Sequence, residues 1–341
     1  NTDTPINPCD VNVTVGATGT YTLSDNITMP ASRTLTVSGR LNANDKVISG
    51  GGAFTLGSVV TAFLGINTAS PNANGGTVTT TTQTWGSGTI DYNLAGDQLI
   101  TSNGGTTSTG HNPASVMMIS GSGIKTINGD LYINASVSAT VTGVLVSSGC
   151  TFNTNGSMVR FNNAGPSDGT GRAIFINTGG SIDNTSGVIR FHSNSWGSGV
   201  HAPDGTNLGA IRISFSGSTN NVGMNAVGTA PNINIASLLC DSTAGGTLRS
   251  NCTGITNVTI TGDVNISPTT LTNTGGGFNS VASAGTIKLR GNYTSLSTSV
   301  TQDIMTAGIA GNVLELNGSA PQIISVPASV TALSFFAGST L

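Results

Sequence analysis

The stretch RFHSNSWGSGVHAPDG, residues 190–205, gathers His192, Trp196, His201 and Asp204. A tryptophan face stacks on a sugar ring while polar neighbours take its hydroxyls, and a histidine beside an aspartate can pass a proton. The four residues are therefore candidate ligand contacts, with surface glycans as the partner. A plainer reading competes: a loop leaves a coil of a repetitive fold, and Trp196 covers an apolar edge. The second WGSG, at Trp85, has no His or Asp cluster before it, which favours the plainer reading.

Other chemistry finds little support. Glycoside hydrolysis needs two opposed carboxylates, yet Glu315 is the one glutamate, and the aspartates fall mostly in turn contexts such as NGD, TGD and PSDG. Calcium-binding repeats need G-G-x-G-x-D, whereas the GGG runs at 50–52 and 275–277 lack the aspartate. The G-x-S-x-G nucleophile elbow is absent from the sequence. The Thr run TVTTTTQT, residues 77–84, would split its hydroxyls between two faces of a strand. We assign no catalytic, metal or cofactor residue and expect a protein that is not an enzyme; a monomeric β-helix that binds or cleaves a polysaccharide is the alternative.

Cysteines suggest a compartment. Cys240 and Cys252 bracket DSTAGGTLRSN, a loop-like stretch that a short disulfide would close, leaving Cys9 and Cys150 as a long-range pair. Four cysteines allow three connectivities, and spacing does not choose among them. A zinc site is the rival, but no C-x-x-C pair supports it. Disulfides imply an extracellular or periplasmic home.

Composition limits the partners further. The chain has 341 residues, 48 of them Gly, with 7% charged and 5% aromatic residues and a net charge of -3. Its 11 scattered Lys and Arg make no basic stripe for a phosphate backbone, so nucleic acid is not expected. No apolar run reaches the ~20 residues of a membrane-spanning helix.

The elements that must position these residues are short strands. No window shows helical spacing free of Gly and Pro. One phrase recurs as TIDY (89–92), MVRF (158–161), VIRF (188–191), AIRI (210–213), TIKL (286–289) and VLEL (313–316). Side chains alternate across a strand, so the apolar pair points inward, and Asp91, Arg160, Arg190, Arg212, Lys288 and Glu315 are predicted on the wet face. A second phrase, in TLTVSGRLNA, IKTINGDLYI, NVTITGDVNI and IKLRGNY, puts Gly39, Gly129, Gly262 and Gly291 at corners between strands, where positive φ is expected. Strand, glycine corner, strand, repeated over several hundred residues, predicts an all-β fold: a β-solenoid like a parallel β-helix. A tandem β-sandwich array is the alternative, disfavoured by the few aromatic residues.

GTIDYNLAGDQLI followed by VMMISGSGIKTINGDLYINASV resembles the repeat modules of large secreted surface proteins of Bacteroidetes, over residues 88–137 and in part over 254–266 and 312–341. The resemblance implies a secreted, cell-surface, adhesive or fibrous protein and brings no catalytic residues. Within the chain, NVLELNGSAPQIIS (312–325) echoes GTIDYNLAGDQLIT (88–101), which suggests the same coil twice. The second copy stops within its module, leaving an apolar strand uncapped, and open edges pair with other chains. We therefore expect one elongated unit over 1–341 that joins itself head to tail. Residues 1–50 of one copy would complete 300–341 of the next, with Leu35, Val37 and Leu41 facing Leu333, Phe335, Phe336 and Leu341.

Overall fold

The computed structural model describes residues 10–70, 78–100, 116–133, 141–162, 171–193, 198–215, 220–228, 232–241, 246–250, 257–267, 275–280, 286–298, 301–306 and 313–335. Among these residues the regular elements are all strands. They stack in parallel, each pairing with strands one coil before and after it: Ile90 faces Met117, which faces Val144, which faces Ile174. The chain is a β-solenoid, and the sandwich alternative fails because sandwiches are built from antiparallel neighbours.

Three faces form the coil. The first is a 13-stranded sheet running from Thr20–Thr22 to Ala332–Phe335. The second comprises two four-stranded sheets, Gln98–Ile100 to Ser181–Asp183 and Asn232–Ile235 to Val313–Leu316. The third has eight strands, Leu131–Ile133 to Ile324–Ser325. At the amino end a five-stranded sheet stands for the second and third faces together, and its strand Ile48–Leu56 runs through the corner between them.

Alternation builds the core. In the first face Leu41, Leu64, Ile90, Met117, Val144, Ile174, Val200 and Met224 succeed one another in register, all buried. In the third, Ile133, Phe161, Phe191, Ile213, Cys240 and Ile266 do the same. The Phe161 and Phe191 rings stack at 5.8 Å. Each such side chain contributes about 1.5–3 kcal/mol by leaving water, so stability accumulates coil by coil.

The expectation of positive φ at the corner glycines is corrected at three of the four positions. Gly129 has positive φ, but Gly39, Gly262 and Gly291 are not among the positive-φ glycines. The constraint at those three is crowding between coils: a Cβ on Gly291 would stand 2.3 Å from the carbonyl carbon of Gly262, and one on Gly39 would stand 2.0 Å from the carbonyl oxygen of Gly16. The 50–52 run is such a corner too, where a Cβ on Gly50 would meet the Met29 carbonyl oxygen at 2.3 Å.

The twin phrases do not occupy the same place. Thr89–Tyr92 lies on the first face and Val313–Leu316 on the second. What they share is the corner that follows. Gln98 accepts the backbone N–H of Leu94 at 3.3 Å and donates to the Ile66 carbonyl of the coil beneath at 2.9 Å. Gln322 accepts from Gly318 at 2.7 Å and donates to the Leu289 carbonyl at 2.8 Å. The phrase therefore encodes a glutamine-clasped corner, used at two different vertices of the coil.

Candidate functional site

The three candidate ligand residues that the structure describes, His192, His201 and Asp204, are not brought together. His192 points outward from the third face, in the strand Val188–Ser193. His201 belongs to the first face, in Ser198–Ala202, where it is buried and its ring stacks on Phe175 at 5.7 Å. Asp204 sits at the corner beyond and is exposed. Trp196 lies outside the described residues.

Asp204 has a structural task. Its Oδ1 accepts the backbone N–H of Asn232, one coil later, at 2.7 Å, and the Asn232 Nδ2 at 3.2 Å. These bonds hold its carboxyl below the ordinary carboxylate range. The same device recurs from Asn12 to Thr34, Asn26 to Val47, Asp97 to Ile124, Asp130 to Met158 and Asp263 to Asn292. Each carboxylate or carboxamide at a corner receives an N–H at or next to the start of a strand in the next coil, satisfying a donor that a sharp bend would leave unpaired.

No disulfide is seen among the described residues, and Cys9 and Cys252 lie outside them. Cys240 occupies an inward column between Ile213 and Ile266, beside the buried Tyr293, and packs as a small apolar side chain. Cys150 is a buried thiol, its pKa pushed up by burial.

The amino-terminal joining residues are placed more deeply than expected. Leu35, Val37 and Leu41 are buried in the core. Their strands, Thr34–Val37 and Arg40–Asn44, are already paired on both sides. The outermost described strands at that end, Val13–Val15 and Thr20–Thr22, lie one coil earlier. Leu333 and Phe335 fall in the terminal strand of the first face, while Phe336 and Leu341 lie outside the described residues.

Of the six charges expected on the wet face, Asp91 is buried instead. It still points away from the core, but Gly65 beneath it has no side chain, so Arg40 reaches over from two coils away to 3.9 Å. Ser120 donates to it at 2.6 Å. Burial, partly offset by Ser120 and Arg40, pushes its carboxyl up.

The most concentrated polar constellation is on the third face. Arg160, Arg190 and Arg212 stand in register on three successive coils, with Tyr132 one rung before and Leu239 one rung after. Beside them runs a second column in which His192 faces Ser214. Arg160 Nη2 lies 2.9 Å from Nδ1 of His192, and its guanidinium carbon is 5.1 Å from the centroid of the Tyr132 ring. Arg190 Nε donates to Ser214 Oγ at 3.1 Å. Arg212 and Ser214 both donate to Asp241. Burial alone would push the Asp241 carboxyl up, but these donors hold it below its ordinary value. Burial and the adjoining Arg160 and Arg190 depress His192 to about 4, so near neutral pH it carries no charge.

Single-strand reasoning placed these arginines outward but did not align them. The signal was the recurrence of apolar-Arg-apolar in three consecutive third-face strands. Among the described residues there is no group of three potential metal ligands and no helix long and apolar enough to cross a membrane. No protein family, curated protein or solved structure compared with the chain gives a match.

Proposed function

We propose that the chain is an extracellular structural protein, a β-solenoid subunit that joins head to tail into a cell-surface filament with an adhesive role. The observation that carries this reading is the parallel, in-register stacking of all three faces, which leaves each face able to take a further coil. Among the described residues, Val13–Val15 and Thr20–Thr22 at one end are bonded on one side only. At the other end Val313–Leu316, Ile324–Ser325 and Ala332–Phe335 are likewise bonded on one side. Because all strands run parallel, the unbonded edge at one end is the complement of that at the other, and a second copy would extend all three faces. Exposed apolar side chains at both ends, Val11 and Tyr21, Leu316 and Ile323, add surface for such a junction. The likeness of 88–137 to secreted surface modules supports the setting outside the cell.

Negative-stain imaging with analytical ultracentrifugation of the 341-residue chain tests the proposal. Filaments of uniform width, lengthening with concentration, are expected. A monodisperse monomer across the concentration range would overturn it.

A further inference from the structure

The arginine ladder is electrostatically unbalanced. Like charges directly opposite one another across strands destabilise a sheet, and here three guanidinium groups occupy successive rungs about 4.8 Å apart. Among the described residues only the Arg212 end is neutralised, by Asp241. Among the described residues no carboxylate lies within ion-pair distance of Arg160 or Arg190. The group facing Arg160 is the uncharged His192. The Nε of Arg160 has no hydrogen-bond partner among the described residues. Arg160 and Arg190 are only half-buried, so a ligand can reach them.

We propose that the Arg160 and Arg190 rungs form a binding site for the oxoanion groups of an acidic polysaccharide lying along the solenoid axis. A guanidinium offers a planar fork of donors matched to carboxylate or sulfate. Two forks one coil apart suit an extended polymer that repeats its charge at short intervals. Tyr132 and His192 wall the lower rung, and the Ser214 hydroxyl adjoins the upper. The chain's net charge of -3 and 11 cationic residues select a narrow line of anions over the broad surface of a nucleic acid. The site lies on the side of the solenoid and does not depend on end-to-end joining, so its test is separate from that of the filament.

The probe is polygalacturonate, measured by isothermal titration at low and physiological salt, with neutral dextran, free galacturonate, inorganic sulfate and single-stranded DNA in parallel. The expected result is binding of polygalacturonate that weakens with salt, at least tenfold weaker binding of the two monomeric anions and of DNA, and none of dextran. The double variant Arg160→Gln, Arg190→Gln is expected to lose at least tenfold in affinity, with Arg33→Gln unchanged. His192→Glu supplies a carboxylate beside Arg160 and is expected to fold at least as stably while also losing binding, which separates loss of the site from loss of the fold. Equal affinity of the double variant and the parent, equal binding of dextran or DNA, or monomeric anions binding as well as the polymer would each overturn the proposal.

Discussion

The Nζ of Lys125 lies 2.6 Å from the carbonyl oxygen of Leu94, inside the solenoid and one coil above it. The same nitrogen is 2.6 Å from the Gly96 carbonyl. Lys125 follows Gln98 in the inward column of the second face, and it is fully buried. A lysine in an apolar column is unusual, and burial pulls its pKa below the ordinary value. Its place is explained by the corner at 93–97, whose carbonyls turn inward and would otherwise face hydrocarbon.

Lys125→Met keeps the length of the side chain and removes the donors. Two inward carbonyls then lose their partner, at a cost of about 2 kcal/mol or more. A lower midpoint in urea, followed by far-ultraviolet circular dichroism, is the expected result; an unchanged midpoint would show that other donors reach those carbonyls.

His192 should make stability depend on pH. Unfolded, a histidine titrates near 6.5; in the fold this one titrates at about 4, through burial and the charges of Arg160 and Arg190, opposed by Asp241. Between those values the unfolded chain binds the extra proton, so stability falls as pH drops from about 6.5 toward 4. Corner and ladder aspartates add their own acid dependence, so the readout is a difference. His192→Gln should lose less thermal stability than the parent over that interval, and parallel curves would refute the assignment.

Asp130→Ala removes the acceptor for the Met158 N–H, bonded at 2.8 Å across the coil boundary. The expected loss is about 1 kcal/mol. Asp130→Asn, which retains an acceptor oxygen, should recover most of it, and hydrogen exchange at the Met158 amide reads the site directly.

Gly291→Ala and Gly16→Ala should behave differently. The first drives a methyl group into the Gly262 backbone and should cost about 1–3 kcal/mol. The second meets nothing within 4 Å and should stay within about 0.5 kcal/mol of the parent. Equal effects in thermal melts would show that coil-to-coil crowding is not what selects glycine at 291.

Much of the fold can be read in single strands, because alternation is local. Leu238 and Cys240 point inward together in the strand Ser237–Cys240, a pattern visible in the sequence and outweighed there by the loop-like residues that follow. Register is not local. Arg160, Arg190 and Arg212 align only because the intervening loops, of unequal length, each return the chain to the same vertex. Asp204 likewise looks like a turn residue until Asn232 is placed above it. Asp91 shows the limit of alternation: its direction was legible, but its burial depends on the missing side chain of Gly65.

The hydrogen-bonded corners join each coil to the one before and the one after. The reach of Arg40 to Asp91, across Gly65, is an exception. A gene encoding such a protein can gain or lose a full coil by in-frame duplication or deletion, and the remaining corners keep their partners. The number of rungs, and with it the span of the arginine line, is a heritable variable that changes without redesign of the core.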